Sequence, residues 1–259
     1  MKIAIIFQSG VGNTKNVALK IGQILKKSHQ VEIYSVEELF EYIEYENYDA
    51  LIIGFPTIHT HPTKRILDYL EQVHLTKSIP VFVFTTCGLY SANTLRIFCK
   101  ECIPKKLIPV HTASYRCAAT DGVLLAPYLS FFKKAEKNLE QKIDKDIKVF
   151  THLLEQGMLK ARVPRFKIYS ILNYPNKWVG HHITFPIYLH QEYCNKCGKC
   201  IRECPAQTYH VSEEGYPHID LSKCEKCYRC IHHCSEKALS LSKKKRPQYT
   251  MNHSNQKMT

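Results

Sequence analysis

The sequence lacks any run of about 18 uncharged apolar residues, so no segment of it is suited to cross a membrane as a helix. Its start, MKIAIIFQSG, has one Lys and a short apolar stretch. It lacks the h-region length and the small-residue cleavage site of an export signal, and it reads as a first buried strand. Acidic residues are scarce beside basic ones, 23 Asp and Glu against 36 Lys and Arg, which gives a formal net charge of +13. No Ser–His–Asp set or paired-carboxylate site stands out, so nothing points to a hydrolase. No solenoid repeat is present. With 44% hydrophobic and 23% charged residues, the composition is that of a folding chain and not of a disordered one. A length of 259 residues predicts two domains or one large one.

What the chain has in quantity is cysteine. Eight of the twelve fall between Cys194 and Cys234. A chain with no export signal rarely builds a disulfide framework, and clustered cysteines there point to metal. The two runs are Cys194-x2-Cys197-x2-Cys200-x3-Cys204-Pro205 and Cys224-x2-Cys227-x2-Cys230-x3-Cys234-Ser235, an internal repeat. Three cysteines at this spacing wrap a loop around one corner of a cubane, and the fourth sits on the following turn. A pair of zinc ribbons would use two CxxC pairs each and has no use for the third and fourth cysteine of a run.

Residues 1–160 alternate apolar strand runs with amphipathic helical stretches. Strands are expected at 2–7, 31–34, 50–53, 80–85 and 107–111. Helices are expected at 14–27, 37–45, 64–73, 91–102 and 129–155. Strands apolar on both faces and separated by helices imply a parallel sheet covered on two sides, with ligands at the carboxyl ends of the strands. The loops to watch are therefore 8–13, 54–63 and 86–90. Residues 161–190 form a basic, aromatic connector with Arg162, Arg165, Lys167 and Lys177 and no acidic residue before 190. Such a stretch can touch a membrane surface or nucleic acid; packing between two cofactor domains, with a basic outer face, is the stronger expectation. Residues 242–259, with KKKRP, read as a loose tail.

Ser9-Gly10-Val11-Gly12-Asn13-Thr14 lies between the first strand and the first helix, where glycines, hydroxyls and amide N–H groups make an anion site. As a dinucleotide fingerprint it is poor. The third glycine position is Lys15, and Glu32, the acidic residue at the right distance, lies inside strand two. Cys99 and Cys102 form a CxxC near a helix end, where the dipole opposes a thiolate, so a redox role is disfavoured. Cys87 and Cys117 read as small buried hydrophobes.

Residues 191–241 resemble the bacterial two-[4Fe–4S] ferredoxin family. In that family the fourth cysteine of each run ligates the other cluster. The resemblance implies Cys194, Cys197, Cys200 and Cys234 for one cluster, and Cys224, Cys227, Cys230 and Cys204 for the second. Two departures are Ser235, where the family usually has proline, and the absence of the glycine often found near the second run, inside which Tyr228 lies. An oxidised [4Fe–4S] core is 2+ and four thiolates make each site 2−, so the formal +13 falls to about +9. SGVGNT in turn is similar to the SGTGNT that cradles the FMN phosphate in short-chain flavodoxins. The resemblance implies that Ser9, Asn13, Thr14 and the backbone N–H groups of residues 10–12 bind the phosphate. Val11 replaces a threonine hydroxyl, a loss of about 0.5–1.5 kcal/mol net and more toward a charged acceptor. The flavin ring is then expected between Pro56 and Thr57 on one loop and Thr86, Cys87, Gly88 and Tyr90 on another. Tyr90 is a stacking candidate, Gly88 a point of close backbone approach, and His59 and His61 possible contacts.

The whole chain resembles fusions of a flavodoxin-like domain with a two-cluster ferredoxin, a family found in anaerobes and called ferrodoxins. The fold implied is α/β, a flavodoxin-like doubly wound five-stranded parallel sheet, followed by a small α+β two-cluster ferredoxin domain. The domains expected are 1–160 flavodoxin-like, 161–190 connector, 191–241 two-cluster ferredoxin and 242–259 tail. The resemblance implies a cytoplasmic electron carrier with two [4Fe–4S] clusters and FMN, and the charge implies an acidic redox partner protein rather than nucleic acid or a membrane. Two alternatives remain at this point. One is a flavin-dependent oxidoreductase acting on a substrate. The other is a ferredoxin whose first domain has lost FMN and serves for docking.

Overall fold

The computed structural model describes residues 1–37, 43–126, 128–168, 170 and 185–244. Strands β1 (Lys2–Phe7), β2 (Gln30–Ser35), β3 (Ala50–Pro56), β4 (Ile79–Cys87) and β5 (Leu107–Arg116) form one parallel sheet in the order β2-β1-β3-β4-β5. This is the flavodoxin-like order, which puts a switch point between β1 and β3. Period-two alternation sends Ile3, Ile5 and Phe7 to one core, and Ala4 and Ile6 to the other. Helices α1 (Asn13–Leu25) and, later in the chain, α5 (Leu139–Glu155) cover the first face through Val17, Ile21, Ile143, Ile147 and Phe150. Helices α2 (Lys64–Glu71) and α3 (Thr94–Cys102) cover the second through Ile66, Leu70, Leu95 and Phe98.

Between β5 and α5 the chain departs from the expected helix over 129–155. A short turn α4 (Gly122–Leu125) comes first, Ser130–Lys133 is a 3-10 turn, and α5 begins only at Leu139. The cause is Arg116. Its guanidinium donates to the carbonyls of Phe131, Lys134 and Ala135, which a helix there would need for itself. The helix expected at 37–45 lies mostly outside the described residues; Tyr45–Asn47 is a 3-10 turn. Strands three and four run further than expected, to Pro56 and Cys87, so Pro56, Thr86 and Cys87 belong to strand ends rather than loops. Cys99 and Cys102 are fully buried on α3, and burial pushes the Cys99 thiol up to about 12.

Residues 161–168 run back along the first domain. Arg162 N donates to Pro109 O at 2.7 Å, and Arg96 Nη1 to Pro164 O at 2.8 Å. Connector residues 169 and 171–184 and tail residues 245–259 lie outside the described residues. The second module has two small antiparallel pairs: β6 (Tyr188–Leu189) with β9 (Leu239–Ser240), and β7 (Tyr209–Val211) with β8 (Pro217–Ile219). Its sheet starts just ahead of the expected boundary at 191. Short helical turns α6 (Lys199–Arg202) and α7 (Arg229–His233) each follow the middle of a cysteine run. Ile187, Tyr228, Ile231 and Leu239 form its core. Among the described residues no helix is long and apolar enough to cross a membrane.

Candidate functional site

The loop between β1 and α1 is built by its own side chains. Gly12 caps α1 at φ 107°, a conformation that strains any residue with a Cβ. Ser9 Oγ accepts from Gly12 N at 3.1 Å and Lys15 N at 3.3 Å. Asn13 Nδ2 donates to Ala118 O at 2.9 Å, and the Thr14 and Thr86 hydroxyls share a bond of 2.8 Å. The side chains expected to grip phosphate thus have a structural task first. What they leave is a set of main-chain donors. The N–H groups of Gly10, Val11 and Thr14 take no acceptor among the described residues. Of the two hydroxyls in the Thr14–Thr86 pair, one keeps a free hydrogen. This donor set fits an anion. Val11 is 2% exposed and packs on Ala118.

Beside the loop lies a solvent-open cleft of about 480 Å3 at the carboxyl ends of the strands. Of the residues expected around a flavin, Ser9, Gly10, Val11, Asn13 and Thr14 line it from the first loop. Pro56 and Thr57 line it from the second, and Thr86, Cys87 and Gly88 from the third. Thr57 N donates to Thr86 O at 2.7 Å, joining the second and third loops. Gly12 and Tyr90 are not in the lining; Tyr90 is 39% exposed. Gly88 also brings backbone close to the protein, since a Cβ there would stand 2.5 Å from the Ala119 Cβ. His59 and His61 sit in a tight turn closed by a bridge between Ile58 and His61, and of that turn only Ile58 reaches the lining. Sequence reasoning missed Ala118, Thr120 and Asp121, which follow β5 and complete the wall. Their position after a strand end was the available signal.

In the second module, Cys194, Cys197, Cys200 and Cys234 line one partly open cavity with Leu189, Pro217, Ala238 and Leu239. Cys204, Cys224, Cys227 and Cys230 form the other group: Cys230 lies within electrostatic reach of the remaining three. Among the described residues no three His, Cys, Asp or Glu close tightly on a single ion. The thiols stand around a space instead. Backbone N–H groups already point at sulfur, from Ala238 to Cys234 at 3.2 Å and from Thr208 to Cys204 at 3.4 Å. Burial pushes the Cys227 and Cys230 thiols up to about 12 and Cys200 to about 11, so thiolates here need a cation to compensate them. The Tyr209 hydroxyl is buried beside Cys230 and within hydrogen-bonding reach of its sulfur. A buried hydroxyl facing these sulfurs, the amide–sulfur bonds and the chemistry of four thiols per group all fit iron–sulfur clusters.

The two sites share a wall. Cys227 lines the cleft of the glycine loop, and a Cβ on Gly10 would stand 3.5 Å from the Cys227 Cβ. Further contacts fix the junction. His232 Nε2 meets Thr120 O at 2.9 Å, Arg65 Nε stands 3.7 Å from Glu225, and Leu124 packs on the core of the second module. Arg229 from the second cysteine run bonds to Ser9, Gly10 and Glu37. Nothing in the local sequence pattern announces these pairs.

Comparison with known proteins agrees with this division. Residues 4–113 match the family model of the flavodoxin domain, and residues 186–235 match that of the 4Fe-4S dicluster domain. The chain is similar to the flavodoxin-like domain-containing protein BilS of Clostridioides difficile, 34% identical over 89 residues, or 34% of this chain and 48% of BilS. The chain thus spans about half the length of that curated relative. Solved structures it resembles include oxidised flavodoxin 1 of Bacillus cereus, 17% identical over 59% of this chain and 98% of the flavodoxin, with a TM-score of 0.45. Another is a Lactobacillus acidophilus flavoprotein in complex with FMN, 21% identical over 44% of this chain and 92% of the flavoprotein, with a TM-score of 0.37. The chain joins a flavodoxin domain to a 4Fe-4S dicluster domain, a pairing that supports an electron-transfer role.

Proposed function

We propose that the chain is an electron-transfer protein that carries FMN and two [4Fe–4S] clusters and passes electrons between these groups and an acidic partner protein. The observation that carries the reading is the shared wall: Cys227, a ligand candidate, lines the same cleft as the phosphate loop. When bound, the flavin supplies one- and two-electron chemistry and each cluster one-electron chemistry. The chain's own residues bind and orient them. The N–H groups of Gly10, Val11 and Thr14 would hold the phosphate, with Thr57, Thr86, Cys87 and Gly88 beside the ring. Cys194, Cys197, Cys200 and Cys234 would hold one cluster, and Cys204, Cys224, Cys227 and Cys230 the other. The domains are taken as 1–160 and 191–241, joined by 161–190 and followed by the tail 242–259.

The test is anaerobic reconstitution with iron, sulfide and FMN, followed by the visible spectrum and metal and flavin counts. About eight irons and one flavin per chain are expected. Eight irons without flavin would make the first domain a docking scaffold. Zinc without a visible chromophore would overturn the cluster reading.

A further inference from the structure

Arg229 opens α7 between Cys227 and Cys230 and is 9% exposed. A guanidinium has five N–H donors and no acceptor, and this one has five recorded bonds. Nη1 and Nη2 donate to Glu37 Oε2 and Oε1 at 2.6 Å each, a bidentate fork. Nη1 also donates to Glu203 O at 3.1 Å, next to Cys204. Nη2 and Nε donate to the carbonyls of Ser9 and Gly10.

The last two bonds bear on the phosphate loop. A trans peptide holds its C=O and N–H antiparallel. Pinning the Ser9 and Gly10 carbonyls therefore fixes the direction of the N–H groups of Gly10 and Val11, on the far side of the same two planes. Those are two of the three loop amides without a protein acceptor. The loop's internal bonds, through Ser9 Oγ, Asn13 and Thr14, secure its α1 end and leave these two planes alone. A glycine between them would otherwise turn freely.

We propose that Arg229 is a positioning residue for the phosphate loop: it sets the two peptides so that their N–H groups serve the phosphate, and it makes flavin affinity depend on the folded second cysteine run. This rests on the reading of residues 9–14 as the FMN phosphate site. Lysine cannot substitute, since one point charge does not hold two carbonyls and a carboxylate fork together. Coupling of this kind is reciprocal, so bound FMN also steadies the second run.

The test uses the full chain with clusters reconstituted and iron counted. FMN and riboflavin, which lacks the phosphate, are titrated by quenching of flavin fluorescence. Arg229→Ala is expected to weaken FMN binding by about tenfold and leave riboflavin unchanged, with no rescue in Arg229→Lys. An equal loss for both ligands would mean a merely structural role and overturn the proposal. Unchanged FMN binding in Arg229→Ala would overturn it while the phosphate-site reading stands. A wild-type chain with no preference for FMN over riboflavin would overturn that reading and this inference with it. If Arg229→Ala sheds its iron, Glu37→Ala decides: a fall in the FMN-to-riboflavin affinity ratio supports the proposal, and an unchanged ratio overturns it.

Discussion

Lys196, Gly198 and Gln207 in the first cysteine run take left-handed φ values of 59°, 69° and 50°. Thirty residues on, Lys226, Tyr228 and Lys237 take 55°, 56° and 52°. The backbone is repeated almost angle for angle, while the surroundings are not. In the first run Cys197, Asn195, Lys196 and Arg202 are exposed; in the second Tyr228, Arg229, Ile231 and His232 are buried. The residues facing Arg229 and His232 in the repeat are Lys199 and Arg202. One copy is thus turned outward. The other is turned into the flavodoxin domain, where Arg229 and His232 bond to Ser9, Gly10 and Thr120. The lesson is that ligand spacing sets the metal chemistry of a run, and the residues between the ligands set what that run faces.

Removing one ligand from each run tests the contrast most severely. Cys197→Ser and Cys227→Ser are each expected to lower the iron count from about eight toward about four. Only Cys227→Ser is expected to weaken FMN as well, because losing that ligand loosens the run whose Arg229 holds the Ser9 and Gly10 carbonyls. Equal effects on FMN titrations of the two reconstituted variants would erase the distinction between an inner and an outer run.

A smaller effect separates the left-handed positions. Tyr228 bears the strain of a positive φ, about 1 kcal/mol, to bury its ring against Ile187 and Ile231. Tyr228→Gly relieves that strain and loses the ring, for a net destabilisation of about 2–3 kcal/mol. Gly198→Ala adds the same strain without a ring to lose, and its Cβ would press only on the end of Arg202, at 2.9 Å. It is expected to cost about 1 kcal/mol. Anaerobic thermal unfolding of the reconstituted chain measures both. A larger loss from Gly198→Ala would reverse the assignment of strain and packing.

The same contrast explains what could be read in advance. Period-two and 3.6-residue patterns are local, so the five strands and the helices α1, α2 and α3 follow from the sequence. Cysteine spacing is also local, and it carries the ferredoxin resemblance, which implies the grouping of Cys194, Cys197, Cys200 and Cys234 that line one cavity. The start of α5 was misread because the side chain that prevents a helix at 130–135, Arg116, lies in another element. The Arg229–Glu37 fork joins residues 192 positions apart, and a lone Arg between two cysteines looks like any solvated charge. Even in the cleft, the expected flavin residues on strand ends line the wall, whereas Tyr90, placed by loop analogy, does not.

The smallest expected effect concerns the outward run. Its basic residues Lys196, Lys199 and Arg202 are partly or fully exposed, whereas Arg229 has all five donors occupied inside the protein. Charge available to steer a partner therefore sits beside Cys197 and Cys200. Lys199 is the cleanest probe. Its ammonium lies 3.9 Å from Glu203, an exposed i,i+4 pair whose loss has little consequence for stability. With an acidic ferredoxin as the probe partner, Lys199→Glu is expected to slow association severalfold at low salt. The difference should vanish at high salt, where the Debye length falls to about 3 Å. Stopped-flow association at two ionic strengths measures this. If Lys199→Glu leaves the low-salt rate unchanged, the outward run is not where an acidic partner arrives.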